Sequence, residues 1–153
     1  DNDYLYGEGG NDTLYGDEND DYVNGGFNED LLYGGSGNDT IEGGYGFDVL
    51  GGQDGNDVLI GGANRDELYG GGGRDVFLFR KATGDSTSSK IDLIRDFEKG
   101  DKIQLEGYGL NFNSISKVYL ASKGVTQFFN KPTDFVVEVS GNVNLDAADF
   151  MFS

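Results

Sequence analysis

The chain has no cysteine, no histidine and no tryptophan, and a single proline and methionine. Without cysteine there is no disulfide framework and no thiolate zinc site. Without histidine there is no Ser-His-Asp or Cys-His catalysis and no imidazole-ligated metal. Basic residues are few: 11 Lys and Arg face 28 Asp and Glu in 153 residues, a net charge of −17. That charge repels nucleic acid and anionic membrane, so neither is expected as a partner. No run approaches the ~20 apolar residues of a membrane helix. The opening Asp1-Asn2-Asp3 has no feature of a signal peptide. The length suits one domain or two small ones.

Glycine and acid are plentiful, and they are unevenly placed. Residues 1–79 hold 18 acidic and 2 basic residues and 21 of the 27 glycines. Residues 80–153 hold 10 acidic and 9 basic residues. The composition of the first part is that of a disordered acidic segment. The order of its residues overturns that reading.

Gly7, Gly16, Gly25, Gly34, Gly43, Gly52, Gly61 and Gly70 lie nine residues apart without a gap. With each taken as position 1, position 6 is Asp12, Asp21, Asp30, Asp39, Asp48, Asp57, Asp66 and Asp75. Position 8 is Leu14, Val23, Leu32, Ile41, Leu50, Leu59, Leu68 and Phe77. Asp3 and Leu5 keep the register in a partial unit ahead of them. A disordered chain has no reason to keep such a period.

Positions 1 to 6 are glycine-rich and polar, so they turn. Positions 7 to 9 read as a three-residue strand with one inward side chain, as in Thr40-Ile41-Glu42. Two units make a flat coil, and stacked coils make two parallel sheets. One buried apolar side chain per nine residues is a thin core, and the stacked aspartates repel one another. Positive charge must enter the turns before this part can fold.

The unit Gly34-Gly35-Ser36-Gly37-Asn38-Asp39-Thr40-Ile41-Glu42 matches Gly-Gly-x-Gly-x-Asp-x-U-x (U a large apolar residue) in full. It resembles the RTX family of secreted bacterial calcium-binding repeats. The resemblance implies an all-β fold: a parallel β-roll, or right-handed β-helix, over residues 1–79, followed by a β-sandwich-like C-terminal cap over 80–153. It implies Ca²⁺ between repeat n and repeat n+2, held by two aspartates and backbone carbonyls of positions 1 to 4, an oxygen set that suits calcium. One edge would stack Asp3, Asp21, Asp39, Asp57 and Asp75, and the other Asp12, Asp30, Asp48 and Asp66. The implied carbonyl ligands are those of Gly34, Gly35, Ser36 and Gly37, of Gly43, Gly44, Tyr45 and Gly46, and of Gly52, Gln53, Asp54 and Gly55. Gly61, Ala63, Gly70 and Gly72 continue the set. The gaps in the two stacks hold about seven ions, whose charge nearly cancels the excess of acid in this half.

Some units depart from the pattern. Position 4 is Asn in Asn19, Asn28 and Asn64, and position 2 is Glu8, Asp17 and Gln53. Asn tolerates left-handed backbone, so its units are expected to survive. The unit from Gly16 to Asp21 is the poorest match.

The second half reads as further strands: Lys90 to Phe97, Lys102 to Leu105, Lys117 to Ala121, Val125 to Phe129 and Phe135 to Ser140. A helical turn is expected in Asn144 to Phe152, with Leu145, Phe150 and Phe152 packing on the sheet. The stretch from Ile91 to Leu105 resembles the segment that follows the repeats in serralysin-type proteases and alginate epimerase R-modules. That resemblance implies one more calcium, held by Asp92 and Asp101. Residues 145–153 resemble a type I secretion signal. The implied whole is a non-catalytic, monomeric domain of a larger secreted bacterial protein. Its partners would be calcium, the upstream domain of its own chain and the type I export apparatus. An alternative is a module for alginate-like polysaccharide, with contacts from Lys90, Arg95, Lys99, Lys102, Lys117, Lys123 and Lys131. The Asn-x-Thr sequons at Asn11 and Asn38 lie inside repeats and read as turn residues.

Overall fold

The computed structural model describes all residues except 82–90, 112, 114, 121–123, 134 and 142, and the backbone alone of 116–120 and 132. Its described residues include fifteen strands and the short 3-10 turns Lys131–Thr133 and Ala147–Asp149. In the repeats the strands are β1 (Tyr4–Tyr6), β2 (Thr13–Glu18), β3 (Tyr22–Phe27), β4 (Leu31–Ser36), β5 (Thr40–Tyr45), β6 (Val49–Gly55), β7 (Val58–Ala63), β8 (Glu67–Gly73) and β9 (Val76–Arg80). Odd-numbered strands pair parallel in one sheet and even-numbered ones in the other. Each strand therefore meets the strand two repeats away, as an eighteen-residue coil requires.

Most of the roll strands are six or seven residues long, not the three read from positions 7 to 9. The chain bends at position 1 and pairs again beyond it. Thr40, Ile41 and Glu42 face Val58, Leu59 and Ile60, then Gly44 and Tyr45 face Gly62 and Ala63. Gly43 and Gly61 drop out of the ladder at the bend.

The position-8 side chains form the core between the sheets. Val23, Leu32, Ile41, Leu50, Leu59, Leu68 and Phe77 are fully buried and belong to one cluster. Leu5 and Leu14, in the first turn, are only partly buried. Removing these side chains from water is the main apolar contribution to the stack.

The second half continues both layers. The remaining strands are β10 (Asp92–Ile94), β11 (Lys102–Glu106), β12 (Ser116–Leu120), β13 (Val125–Asn130), β14 (Phe135–Ser140) and β15 (Phe150–Phe152). One sheet runs β1-β3-β5-β7-β9-β11-β15 and the other β12-β13-β14-β10-β8-β6-β4-β2. The sandwich-like cap thus shares the roll's two sheets and its core. Ile94 pairs with Leu68, and Ile103 with Phe77, so both continue the position-8 stack. Phe135, Val137, Val139 and Phe150 fill the widened end of the same cluster. Composition divides the chain at 79/80, which falls inside β9.

The tail differs from expectation in one respect. The helical turn is present at Ala147–Asp149, and Leu145, Phe150 and Phe152 do pack on the core. Beyond the turn, however, Phe150–Phe152 is a strand paired parallel with β11. The strand expected over Lys90 to Phe97 shortens to β10, and Lys90 and Ala121 lie outside the described residues.

Candidate metal centre

The aspartates of position 6 form two ladders, one at each edge of the roll. On the first, the backbone N–H of each aspartate donates to Oδ1 of the aspartate one coil on. These bonds run Asp3 to Asp21 (2.7 Å), Asp21 to Asp39 (2.8 Å), Asp39 to Asp57 (2.8 Å) and Asp57 to Asp75 (3.0 Å). On the second they run Asp12 to Asp30 (2.8 Å), Asp30 to Asp48 (2.9 Å) and Asp48 to Asp66 (2.9 Å). One carboxylate oxygen of each thereby ties one turn to the next.

The other oxygen tests whether a cation belongs here. Oδ2 of Asp12, Asp21, Asp30, Asp39, Asp48, Asp57 and Asp75 is buried and has no hydrogen-bond partner. A repeated buried acceptor without a donor is costly and calls for an explanation. The position-1 glycine shows where these oxygens point. A Cβ on Gly43 would lie 2.6 Å from Asp48 Oδ2 and 2.5 Å from the carbonyl oxygen of Gly61. At Gly16 the same two kinds of oxygen, from Asp21 and Gly34, both lie 2.5 Å from that point. Carboxylate and carbonyl oxygens therefore converge from successive turns, the hard donor set that calcium takes. Among the described residues no three acidic side chains form one cluster, so backbone oxygens would complete any site.

The turns hold their shape through left-handed backbone. Position 2 has positive φ in all eight units, including Glu8 (65°), Asp17 (74°) and Gln53 (77°). Asn19, Asn28 and Asn64 take it at position 4, with φ of 82°, 82° and 97°. The departures from the repeat pattern thus keep the turn, at the strain a side chain incurs there. A further ladder staples the turns at position 5. Asn38 N–H donates to Asp20 Oδ1 (2.7 Å), and Asn56 N–H to Asn38 Oδ1 (3.0 Å). Asn38 is therefore engaged as the turn residue its place in the repeat implied.

Burial moves the ladder carboxyls upward. Desolvation raises Asp48 and Asp57 from 3.8 to about 7, against the lowering effect of the N–H groups of Asp30 and Asp39. The neighbouring ladder aspartate raises each further by like-charge repulsion. Asp30, Asp39 and Asp75 are raised for the same first cause. Burial thus disfavours the charged carboxylate here, and a bound cation would reverse that balance.

Asp92 and Asp101 sit apart, at the ends of different ladders. Asp66 N–H donates to Asp92 Oδ1 (2.9 Å), and Asp75 N–H to Asp101 Oδ1 (3.0 Å). Each prolongs its own edge of the roll. Asp101 differs again in that its Oδ2 accepts from Glu98 N–H at 2.8 Å. The sequence carried this signal: Asp92-Leu93-Ile94 and Asp101-Lys102-Ile103 repeat the Asp-x-U of every roll unit. The sequence reading missed Asp96, whose two oxygens accept from Gly70 and Gly71 N–H at 2.9 and 3.0 Å.

The basic residues considered for a polysaccharide are partly engaged. Arg95 Nη2 pairs with Glu67 Oε1 at 2.6 Å, and Lys102 Nζ donates to the Ala148 carbonyl at 2.6 Å. Lys99 and Lys131 are exposed, Lys90 and Lys123 fall outside the described residues, and of Lys117 only the backbone is described. Among the described residues no helix is long and apolar enough to cross a membrane.

Comparison with known proteins agrees with this geometry. The model of the RTX calcium-binding nonapeptide repeat matches four times, at residues 1–32, 15–50, 33–67 and 51–78. Of solved structures, the AlgE6R2 subunit of the Azotobacter vinelandii mannuronan C5-epimerase aligns with a TM-score of 0.66 at 29% identity, over 85% of this chain and 91% of that one. The AlgE6R3 subunit of the same enzyme aligns with a TM-score of 0.55 at 26% identity, over 89% and 80%. The extracellular lipase LipA of Serratia marcescens aligns more loosely, with a TM-score of 0.45 at 14% identity, over 94% and 38%. No curated protein sequence matches significantly. With just over half its length matched unit by unit, the chain belongs to the RTX calcium-binding nonapeptide repeat family.

Proposed function

We propose that the chain is a non-catalytic, calcium-folded domain of a larger secreted protein, and that its two aspartate ladders hold the ions. The observation that carries this reading is the row of buried Oδ2 atoms without donors, which at Asp12, Asp21, Asp30, Asp48 and Asp57 lie beside a carbonyl oxygen of the next coil. Asp3 to Asp75 on one edge and Asp12 to Asp66 on the other would supply the carboxylates. The position 1 to 4 carbonyls would complete about seven sites of six oxygens. Asp92 extends the second ladder by one interval with the same geometry. Bound calcium supplies positive charge to turns that otherwise stack carboxylates.

In this reading the acidic chain stays unfolded where calcium is scarce and passes the export apparatus as a coil. Outside the cell, at the ~10⁻⁴–10⁻³ M calcium typical of extracellular sites, the roll forms. Residues 80–153 cap its end, with 145–153 serving in export, and the folded roll steadies the domain upstream. Far-UV circular dichroism during a calcium titration, with magnesium as the control, tests this. A cooperative gain of β signal with calcium alone is the expected result. A full β signal in chelator, unchanged by calcium, would refute it.

A second reading is favoured by the likeness to two subunits of a mannuronan epimerase. The chain would then hold an acidic polysaccharide, through exposed Lys99 and Lys131 or through calcium bridging anion to anion. Binding of alginate oligomers in calcium, lost on Lys99→Ala and Lys131→Ala together, is the outcome that would support it.

A further inference from the structure

Position 9 of the units on the eight-stranded sheet reads Tyr15, Tyr33, Gly51 and Tyr69 along β2, β4, β6 and β8. Tyr15 and Tyr33 stack face to face, with ring centroids 5.0 Å apart and planes 13° from parallel. The row then breaks, because Gly51 puts no side chain between Tyr33 and Tyr69. A Cβ there would lie 3.2 Å from Cδ1 of Tyr33, so that ring leans over the gap. What remains is an open cleft of about 380 Å³ lined by Tyr33, Val49, Gly51, Gln53, Tyr69 and Gly71. A second hollow of about 190 Å³ adjoins it across Tyr33 and Gln53 and adds Asp17, Ser36 and Asp54. By strand spacing, Tyr33 and Tyr69 stand about 9.6 Å apart at their backbones.

The lining selects a class of ligand. Two tyrosine rings and Val49 offer apolar faces, and Gln53 offers an amide that both donates and accepts. No charged residue lines the larger cleft. An anion would meet Asp17 and Asp54, which line the adjoining hollow. Glu67, the carboxylate that accepts from Tyr69 Oη at 3.2 Å, is already paired with Arg95 at 2.6 Å and so offers a cation little. An uncharged ring with apolar faces and a rim of hydroxyls fits both constraints. The adjoining polar hollow provides for a second ring joined to the first.

We propose that this cleft binds an uncharged oligosaccharide, with one pyranose ring seated against Tyr33 and Tyr69 beside Gly51. The proposal needs only a folded roll and does not depend on the acidic-polysaccharide reading. The test uses the whole chain at saturating calcium, with circular dichroism first showing that each variant is folded. Isothermal titration and amide NMR would then measure hexamers of β-1,4-glucan, mannan, xylan and N-acetylglucosamine, with an alginate hexamer for comparison. At least one uncharged hexamer is expected to bind and to shift Gly51, Gln53 and Gly71. Gly51→Tyr, which completes the tyrosine row, and Tyr69→Ala should each weaken it about tenfold or more, whereas Tyr4→Ala should not. Tyr69 is exposed, so its variant serves if Gly51→Tyr does not fold. The proposal is overturned if no uncharged hexamer binds the folded chain, if only alginate binds, or if both cleft variants bind as the parent does. A failure of the calcium reading would show separately, as a dichroism signal indifferent to calcium.

Discussion

The repeats and the residues that follow them share two sheets and one core, yet they are built differently. From Gly16 onward each nine-residue unit buries one carboxylate and the large side chain two places after it. In residues 92–152 the buried positions are mostly aromatic and β-branched, as at Phe128, Phe135, Val137, Val139 and Phe150. The repeats also carry nearly all of the excess negative charge. The difference teaches that one continuous layer can be held mainly by apolar burial at one end and carry a buried carboxylate at every turn of the other. On the proposed function, calcium dependence belongs to the turns rather than to the strands.

The sharpest way to break the comparison is to remove the glycine that makes room for the converging oxygens. Gly43→Ala sets a Cβ 2.5 Å from the Gly61 carbonyl oxygen and 2.6 Å from Asp48 Oδ2. It should cost well above the ~1 kcal/mol of an average substitution, read as the loss of the calcium-induced dichroism transition. Asp57→Ala removes one rung of the first ladder. It should raise the calcium midpoint about tenfold or more, the scale seen when a metal site loses a supporting group. Asp146→Ala, in the turn before β15, should leave that midpoint in place.

Leu50→Ala tests the thin core. It should cost ~2–5 kcal/mol of stability in calcium, read by thermal or urea unfolding. Proton dependence comes next. The folded carboxyls of Asp48 and Asp57 sit near 7 against 3.8 unfolded. Protonation therefore favours the folded roll: the contribution is complete below pH 3.8 and is lost as pH rises through about 7. In chelator the β signal should be larger near pH 4.5 than at pH 8. In calcium the midpoint should fall as pH rises across the same window, because protons and the cation compete for the same oxygens. A chelated signal that grows with pH would contradict the assignment. The smallest effect is expected from Arg95→Ala. Its pair with Glu67 is more than one-third exposed, so the loss should be ~0–1 kcal/mol by urea unfolding.

Much of the roll was legible in advance because a repeat is its own evidence. The Asp and the apolar residue recur in fixed places, and the coil of two units follows from a strand that presents one side chain inward. The strand lengths were not legible. Glycines at positions 1 and 2 look like turn residues, and only the neighbouring coil lets the chain bend at Gly43 and resume pairing at Gly44. Asp92 and Asp101 were legible as candidates but not as members of separate ladders. That separation depends on β10 joining β8 and β11 joining β9, across sequence intervals that break the nine-residue count.

By itself the sequence determined the period, the carboxylate at every turn, the apolar residue at every strand and the imbalance of charge. These are local properties that repeat with the chain. Only the tertiary structure decided which oxygen of each aspartate is tied to the next turn and which is left without a donor. It also decided that the second half would prolong both layers, and that Gly51 would open a cleft between two tyrosines. Each of these depends on which residues lie one coil apart, and stacking creates that neighbourhood.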